Sequence, residues 1–322
     1  MPFPGLQILL IVLTLAAAVA AAAGAAVAFV AVRRLSVRLD RLTAGVDMHF
    51  KTERKWRKTL AQQTAAILRH AVLPAHDATP TARLLAKRFK LYSQNEEDGI
   101  LLALIEAAGA PARRFVEIGS GMTGGNSALL AMEFGWSGLM VEARRGHVEE
   151  ARRRFSHNPG VQVVRAMATP TNVNKLLAKH GAGDDIDVLS LDIDSDDYWV
   201  LRAFNICRPR IIVVEYNALF GPKKALTVAR GVAAQAGVKG YSGASLMAFD
   251  RLLTGRDYRL VAVEPNGVNA FFLRNDLAPE VPRVPVAQAF RAVRLRAETD
   301  DVERDIDIFE VAASRHLPLV EV

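Results

Sequence analysis

The chain has 322 residues, a formal net charge of +7 and a single cysteine, Cys207. This length accommodates one α/β domain of about 200 residues with additional segments, and one cysteine excludes an intramolecular disulfide. Hydrophobic residues make up 51% of the chain, which is high for a purely soluble protein, and the excess lies at the amino terminus.

The amino-terminal segment is long enough and apolar enough to cross a membrane. Residues 6–32 contain no charged side chain over 27 positions, and about 20 apolar residues span a bilayer. No basic residue precedes this run, and it is longer than the apolar region of a signal peptide, about 7–15 residues. We therefore predict a retained transmembrane anchor at residues 1–32, with a cleaved signal peptide as the competing interpretation.

The charges that flank this segment predict its orientation. Four arginines follow the apolar run at once, at Arg33, Arg34, Arg38 and Arg41. Because positive charge stays on the cytoplasmic side, we expect the N-terminus outside and the rest of the chain in the cytoplasm. The prediction is a single-pass protein of the cell (inner) membrane, and the lone cysteine agrees with a reducing compartment.

The segment after the predicted anchor is basic and has a helical pattern. Residues 33–90 carry 14 lysines and arginines against four acidic residues. Attraction to anionic membrane lipid explains such a segment, and we expect no nucleic-acid partner because no nucleic-acid-binding fold accompanies the charge. Apolar residues at helical spacing predict a stalk over 33–80 that ends in a proline-containing linker. The stalk either self-associates, giving a homo-oligomer, or lies as a solvated helix on the membrane.

From residue 81 onward, strands and helices are predicted to alternate. Apolar runs rich in Val, Ile and Leu suit a parallel sheet that is covered on both faces. Two further strands, 258–265 and 268–274, flank Asn266-Gly267, which is a β-hairpin signal. We therefore predict an α/β domain over 81–277 and an accessory C-terminal segment of unknown role over 278–322. The predicted parallel strands are 114–119, 138–143, 161–166, 187–193 and 211–216.

Small residues at the end of the first strand predict a nucleoside-binding loop. Gly119 and Gly121 follow the apolar run directly, and glycines let the backbone turn sharply and approach a ligand closely. The following helix start offers free N–H groups. The second strand ends in Glu142, where a carboxylate can accept hydrogen bonds from both hydroxyls of a ribose.

Two cofactor classes fit this loop. Gly119, Gly121 and Gly124 match the Gly-x-Gly-x-x-Gly spacing of dinucleotide sites, in which a pyrophosphate lies on the helix N-terminus. Glu117 would repel a pyrophosphate, but it suits the cationic amino-acid end of S-adenosylmethionine (SAM). The closing hairpin also favours SAM, because five parallel strands plus a hairpin, in the order 3-2-1-4-5-7-6, is the Rossmann-like plan of class I methyltransferases. A glycine-rich turn that only packs a helix on the sheet is the third interpretation.

At this point several motifs together resemble the FkbM-like class I SAM-dependent methyltransferases, and more closely a bacterial branch of them. These motifs are Ser-Gln-Asn-Glu-Glu-Asp-Gly at 93–99, Val-Glu-Ile-Gly at 116–119, Gly-Trp-Ser-Gly-Leu-Met-Val-Glu at 135–142, Ser-Leu-Asp-Ile-Asp at 190–194 and Val-Val-Glu-Tyr-Asn at 213–217. The resemblance covers roughly residues 90–277 and implies O-methylation of hydroxyls on sugars and natural products. The predicted cofactor-binding residues are Glu117, Gly119, Ser120, Gly121, Asn126, Glu142, Ala166 and Asp192.

The sequence departs from the family pattern in two places. Strand 3 runs into Ala166 with no acidic residue to contact the adenine amine, so a backbone or hydroxyl contact would have to serve there. After Gly221-Pro222 the family pattern has Pro-Tyr-Asp-Pro, whereas this chain has Thr-Val-Ala-Arg-Gly-Val at 227–232. The second departure concerns acceptor recognition or activity.

Acidic side chains are predicted to crowd over the reacting methyl group. Asp192 and Asp194 end strand 4, while Glu215 and Asn217 end strand 5, and ligands bind at the carboxyl ends of such strands. One interpretation is a general base with a raised pKa, the catalytic set being Asp192, Asp194 and Glu215. The second is a Mg²⁺ site formed by all four side chains. The third is that Asp194 and the aspartates after it only cap the next helix.

These features lead to two functional hypotheses. The first is a membrane-anchored SAM-dependent methyltransferase that O-methylates a hydroxyl of a glycan, a lipid-linked precursor or a small molecule. The second is a non-catalytic scaffold or sensor with a SAM-binding fold that acts through protein partners. The departure at residues 227–232 and the missing adenine contact keep the second hypothesis open.

Overall fold

A computed structural model describes residues 79–183, 185–293, 296–299, 302–305 and 307–322. The predicted anchor, and the predicted stalk except for its last two residues, lie outside these ranges. Within the described ranges, no helix has both the length and the apolar character needed to cross a bilayer. The anchor, the stalk and the domain limits therefore stay predictions.

A seven-stranded sheet forms the centre of the described structure. Its strands are β1 (Arg114–Ile118), β2 (Ser137–Glu142), β3 (Val161–Arg165), β4 (Val188–Leu191), β5 (Ile211–Glu215), β7 (Tyr258–Val263) and β8 (Asn269–Arg274). The order is β3-β2-β1-β4-β5-β8-β7. The first five strands are parallel, and β8 runs antiparallel to both β5 and β7.

This is the predicted mostly parallel Rossmann-like sheet with a closing hairpin. The strand order differs from the predicted 3-2-1-4-5-7-6 because an extra short strand, β6 (Leu226–Val228), precedes the hairpin in the chain. That strand belongs to a separate two-stranded sheet. The sequence pattern missed it because three residues are too few to show a strand period.

Helices cover both faces of the sheet, as buried parallel strands require. Neighbouring residues of β1 illustrate this: Phe115 packs into the apolar cluster on one face, and Val116 packs into the cluster on the other. The helices are α1 (Pro80–Ala86), α2 (Glu97–Ala108), α3 (Ala128–Glu133), α4 (Arg145–Arg154), α5 (Val173–Lys179), α6 (Asp197–Ala203), α7 (Ala233–Ala236), α8 (Leu246–Thr254), α9 (Val286–Ala289) and α10 (Ile308–Ser314).

The start of α2 is closed by a buried aspartate. The Ser93 N–H donates to Asp98 Oδ2 at 3.1 Å, and the Asp98 N–H donates to Ser93 Oγ at 3.3 Å. Asp98 Oδ2 also accepts from the N–H groups of Leu91 and Tyr92. The loop before α2 is therefore folded over the helix start by one carboxylate.

The C-terminal residues pack against the segment that follows β5. Strand β11 (Leu319–Glu321) pairs antiparallel with β6, and Ile308 and Ala312 of α10 lie in one apolar cluster with Phe220 and Tyr241. A second short pair consists of β9 (Arg296–Thr299) and β10 (Val302–Asp305). The segment 227–232, where the sequence departs from the FkbM-like pattern that it otherwise resembles, thus begins in the strand that pairs with the C-terminal strand β11.

Candidate cofactor and acceptor site

Polar side chains occupy the carboxyl end of the sheet. Glu117 of β1 pairs in register with Ser190 of β4, and Glu215 of β5 pairs with Asn269 of β8. Glu142 is the last residue of β2. Residues in direct register project from the same face of a sheet. The ends of these strands therefore place a row of polar groups where open α/β sheets bind ligands.

The glycines of the loop after β1 are required by close contacts. Gly119 has φ +88°, and a Cβ there would lie 1.5 Å from the carbonyl oxygen of Asp192. Gly125 has φ +60°, and its Cβ would lie 2.1 Å from Glu117 Oε1. Gly121 also has positive φ, but apart from its two chain neighbours no described residue has an atom within 4 Å of its Cβ position. The loop thus lies tightly on β1 and β4 at two glycines and is open to a ligand at the third.

Glu117 lies beneath the glycine loop. Its side chain is buried, and Oε2 accepts from the Ser127 N–H at 3.0 Å and from the Ser127 hydroxyl at 2.6 Å. Oε1 accepts from the Asn126 N–H at 3.2 Å and the Ser190 hydroxyl at 2.9 Å. Burial raises the pKa of this carboxyl from 4.5 to about 7, against the opposing effect of these hydrogen bonds. These contacts show Glu117 holding the loop.

Asn126 is also buried beneath the loop. Its side-chain NH₂ donates to the Ser190 hydroxyl at 3.1 Å and to Asn269 Oδ1 at 3.5 Å. Like Glu117, it was predicted to bind the cofactor, and like Glu117 it supports the loop from below. Short-range sequence spacing does not reveal this arrangement, because its partners lie 64 and 143 residues away.

Glu142 lies at the open part of the loop. Oε2 accepts from the Gly121 N–H at 2.9 Å, and Oε1 accepts from the Arg144 N–H at 2.7 Å. His147 Nδ1 lies 3.7 Å from Oε1. Each carboxylate oxygen can accept a further hydrogen bond, which is the requirement for holding two ribose hydroxyls.

The residues at this loop fit the nucleoside part of SAM. Glu142 retains acceptor capacity, Gly121 is open, and the buried Ser120 hydroxyl has no hydrogen-bond partner among the described residues. Ala166 follows the neighbouring strand, and its N–H already donates to the Glu142 carbonyl at 3.0 Å. A backbone contact to adenine at this position would therefore use a group other than that N–H.

Asp192, Asp194 and Glu215 come together as predicted from the strand ends. Carboxylate oxygens of all three lie within 4.8 Å of one another. Burial raises the pKa of Asp192 from 3.8 to about 6, and a hydrogen bond from Glu215 opposes that rise. Burial and the Asp192 charge raise the pKa of Glu215 well above its usual value of 4.5. The hydrogen bond between the two carboxyls favours ionised Asp192 and protonated Glu215.

Asp197 fixes the loop that carries this cluster. Its buried carboxylate accepts from the Ile193 N–H at 2.8 Å and the Ser195 N–H at 2.9 Å. Burial raises its pKa from 3.8 to about 7. The N-cap of α6 is Asp196, whose side chain makes no capping bond to the helix and instead accepts from the Gly231 N–H. The interpretation of these aspartates as simple helix caps is therefore wrong for Asp196 and Asp197.

Asn217 lies two residues after Glu215 but serves the chain that follows β5. Its amide donates to the carbonyls of Gly240 at 2.7 Å and Ser242 at 2.9 Å. Its Oδ1 accepts from the Leu219 N–H at 3.0 Å, which caps a short 3₁₀ turn. This side chain, predicted as a metal ligand, thus positions the segment after β5.

The buried polar residues of this region that were not among the predicted site residues include Glu97, Ser190, Glu264 and Asn269. Glu97 and Ser190 fall within the motifs that carried the family resemblance, so a signal for them was present. Asn269 lies in the strand after the Asn-Gly turn, where only its polar character inside an apolar run distinguishes it. A cleft lined by Arg114, Ser137 and Gly160 lies at the opposite, amino-terminal edge of the sheet and contains none of these groups.

Comparisons with known proteins show the following likenesses. The chain is similar to the N-terminal domain of EvdMO1 with SAH bound, at 14% identity and a TM-score of 0.38 over 56% of this chain and 80% of that one. It is similar to an O-methyltransferase from Bacillus cereus in complex with SAH, at 20% identity and 0.34 over 66% and 88%. It is also similar to the O-methyltransferase TomG from Streptomyces achromogenes, involved in tomaymycin synthesis, in complex with SAM, at 20% identity and 0.37 over 66% and 96%.

No family model and no curated protein sequence matches the chain. At TM-scores below 0.5 these likenesses carry no assignment of function. The strand order β3-β2-β1-β4-β5-β8-β7 and the antiparallel β8 define the fold, which is the Rossmann-like fold of class I methyltransferases.

Proposed function

We propose that this protein is a SAM-dependent methyltransferase that transfers a methyl group to a hydroxyl. The observation that carries the proposal is the Glu142 carboxylate, bound to the N–H of the open glycine Gly121 at 2.9 Å. This geometry supports a ribose at the carboxyl edge of the sheet, and the fold class supports SAM over a dinucleotide. The finer assignment to the FkbM-like branch is part of the proposal and depends on the motif resemblance.

SAM supplies an electrophilic methyl group, and the protein must provide a group that removes the proton of the acceptor hydroxyl. At pH 7 Asp192 is mostly ionised, since its pKa is about 6, whereas burial and the Asp192 charge raise the pKa of Glu215 well above its usual value. Asp192 can therefore accept the hydroxyl proton as the new bond forms. Glu215 stabilises the ionised Asp192, and Asp197 holds the backbone that follows it.

A hard cation is the alternative use of the same carboxylates. Three carboxylate oxygens within 4.8 Å of one another match the ligand chemistry of Mg²⁺. Such an ion would bind Asp192, Asp194 and Glu215 and orient the acceptor hydroxyl. Asn217 fits this set less well, because its amide already binds three backbone groups.

The acceptor proposed here is a glycan, a lipid-linked precursor or a small molecule. The predicted anchor at residues 1–32 would hold the domain at the inner membrane, and the basic stalk would contact anionic lipid and a second copy of the chain. These parts of the proposal depend on the sequence alone, because nearly all the residues concerned lie outside the described ranges.

The cofactor assignment is tested by calorimetry on the full chain with SAM, S-adenosylhomocysteine (SAH) and NAD. We expect micromolar binding of SAM and SAH and no binding of NAD. Binding of NAD without SAM would show that the loop serves a dinucleotide.

The chemistry is tested with Asp192→Asn and Asp194→Asn, since asparagine keeps the shape and removes the charge. Transfer of a labelled methyl group from SAM into glycan and lipid extracts is the assay. A base role predicts that Asp192→Asn abolishes transfer and that the wild-type rate falls as the pH drops below about 6, because the base must be deprotonated. A metal role predicts that both variants fail and that a chelator abolishes transfer until Mg²⁺ is returned. Near-normal turnover in both variants would leave the two aspartates structural.

A further inference from the structure

A buried chain of hydrogen bonds connects the start of α2 to the floor of the glycine loop. Glu97 Oε1 accepts from Asn269 Nδ2 at 2.9 Å, and Asn269 Oδ1 accepts from Asn126 Nδ2 at 3.5 Å. Asn126 Nδ2 also donates to Ser190 at 3.1 Å, and the Ser190 hydroxyl donates to Glu117 at 2.9 Å. These bonds link α2, β8, the loop, β4 and β1 in one polar network.

Every member of this network is withdrawn from water. Glu97 and Ser190 are 0% exposed, Glu117 1%, Asn269 3% and Asn126 6%. Buried polar groups need partners, and losing one partner leaves the others unpaired in a medium of low dielectric constant. The network therefore holds its members in one arrangement, and a change at one end affects the other.

Asn269 is the central residue of the network. Its amide donates to the Glu97 carboxylate and accepts from Asn126, so an amide in this orientation satisfies both neighbours. Asn269 is also the register partner of Glu215 on the adjacent strand. It therefore links the loop that would hold the cofactor to the strand that carries Glu215.

The other end of the network is fixed by α2. Glu97 Oε2 accepts from the Asn95 N–H at 2.7 Å, and Oε1 accepts from the Asn95 side chain at 3.1 Å. The adjacent residue, Asp98, holds the preceding loop through three N–H groups. The start of α2 is therefore a fixed support against which Asn269 is held.

We propose that Glu97 and Asn269 are positioning residues that hold the glycine loop in its cofactor-binding conformation through Asn126. Neither residue needs to touch SAM, and their effect passes through the loop. This inference rests on the proposed function for the identity of the ligand, but the order of the loop can be measured without any ligand.

The test exchanges the side-chain amide of Asn269 and the carboxylate of Glu97 in the full chain. Asn269→Asp sets two carboxylates against each other and removes the donor to Glu97. Glu97→Gln removes the charge and replaces one acceptor oxygen with an NH₂ group, so either Asn269 or Asn95 loses its acceptor. In the double variant, which carries both substitutions, the new amide on α2 can donate to the new carboxylate on β8. That carboxylate still accepts from Asn126, so the link to the loop is restored.

A matched control comes from a different part of the same domain. Asn174 is a partly buried amide that donates to the Ala203 carbonyl and accepts from the Asn205 N–H, away from the network. Asn174→Asp makes the same chemical change as Asn269→Asp. It therefore measures what the loss of an amide donor does when the glycine loop is not involved.

Two measurements are made on each variant. The first is SAH affinity by calorimetry, and the second is amide hydrogen exchange of the peptide spanning residues 119–127 without ligand. We expect each single variant to weaken SAH binding on the order of tenfold and to speed exchange in the loop. The double variant should regain most of the lost SAH affinity and most of the exchange protection of the loop. Asn174→Asp should change neither quantity. A loss of global stability alone would speed exchange throughout the domain and not only in residues 119–127.

The inference is overturned if both single variants bind SAH within about twofold of wild type and protect the loop amides as the control does. It is also overturned if the double variant binds SAH no more tightly than Asn269→Asp does and protects the loop amides no better. If Asn269→Asp does not fold, Glu97→Gln against the double variant decides in the same way. If wild type binds no SAH, the proposed function fails, and the exchange measurement alone still decides whether the pair orders the loop.

Discussion

Glu142 is the residue at which the proposed ribose contact can be tested most directly, through the single substitution Glu142→Gln. Both carboxylate oxygens already accept a backbone N–H, from Gly121 and from Arg144. Glutamine has the same shape, but it replaces one oxygen with an NH₂ group. That group cannot accept from the backbone or from a ribose hydroxyl, so one end of the side chain changes from acceptor to donor.

The size of the effect follows from the number of bonds changed. A hydrogen bond to a charged group contributes about 1.5–3 kcal/mol net, and the substitution removes one such bond to the ribose and the charge that strengthens the other. We therefore expect SAH binding to weaken by about 1.5–3 kcal/mol, which is about 10- to 150-fold in Kd. Glu142→Ala, which removes both acceptors, should weaken binding by at least as much.

The assay is calorimetric titration of the full chain with SAH at neutral pH, with thermal unfolding measured in parallel. Glu149→Gln is the matched control, because Glu149 is on the same stretch of chain but pairs with Arg145 at the exposed surface. The control should bind SAH as wild type does. Unchanged SAH affinity in a folded Glu142→Gln protein would refute the assignment of Glu142 to the ribose.

Three further predictions follow from the described residues and the sequence. Gly119→Ala should destabilise the protein by more than about 2 kcal/mol in urea unfolding, because its φ is positive and its Cβ would lie 1.5 Å from the Asp192 carbonyl oxygen. The control is Gly146→Ala in α4, where the added Cβ would meet no described atom within 4 Å outside the helix's own neighbouring backbone. That substitution should be neutral or stabilising. The free energy of unfolding should fall as pH rises from about 4 to 7. Burial raises the pKa of Glu117 and Asp197 to about 7, so the folded state binds more protons than the unfolded state over this range. A free energy of unfolding that does not change with pH would contradict this. A reporter fused after Val322 should be active in the cytoplasm, and a mature N-terminus near Gly24 would instead show a cleaved signal peptide.

Local sequence patterns were sufficient to predict the core of the fold. Apolar runs of Val, Ile and Leu located the five parallel strands closely, and Asn266-Gly267 located the closing hairpin. These signals work because a strand buried on both faces must be apolar throughout, and an Asn-Gly turn favours a tight reversal. Strand ends then indicated that Asp192 and Glu215 would lie together, since the carboxyl ends of neighbouring parallel strands meet.

Only the tertiary structure determined what those residues contact. Glu117 has the residue type expected beside SAM, yet it is bonded to the underside of the loop. One of its partners comes from a strand 73 residues away, and no local period records such a contact. The same holds for Asn269 and Glu97, which are 172 residues apart, and for the C-terminal strand that covers β6. The sequence by itself determined the strands and their ends, because these depend on the local hydrophobic pattern. The burial and pairing of the polar groups, in contrast, depend on which distant strands the sheet brings side by side, and only the tertiary structure decides that.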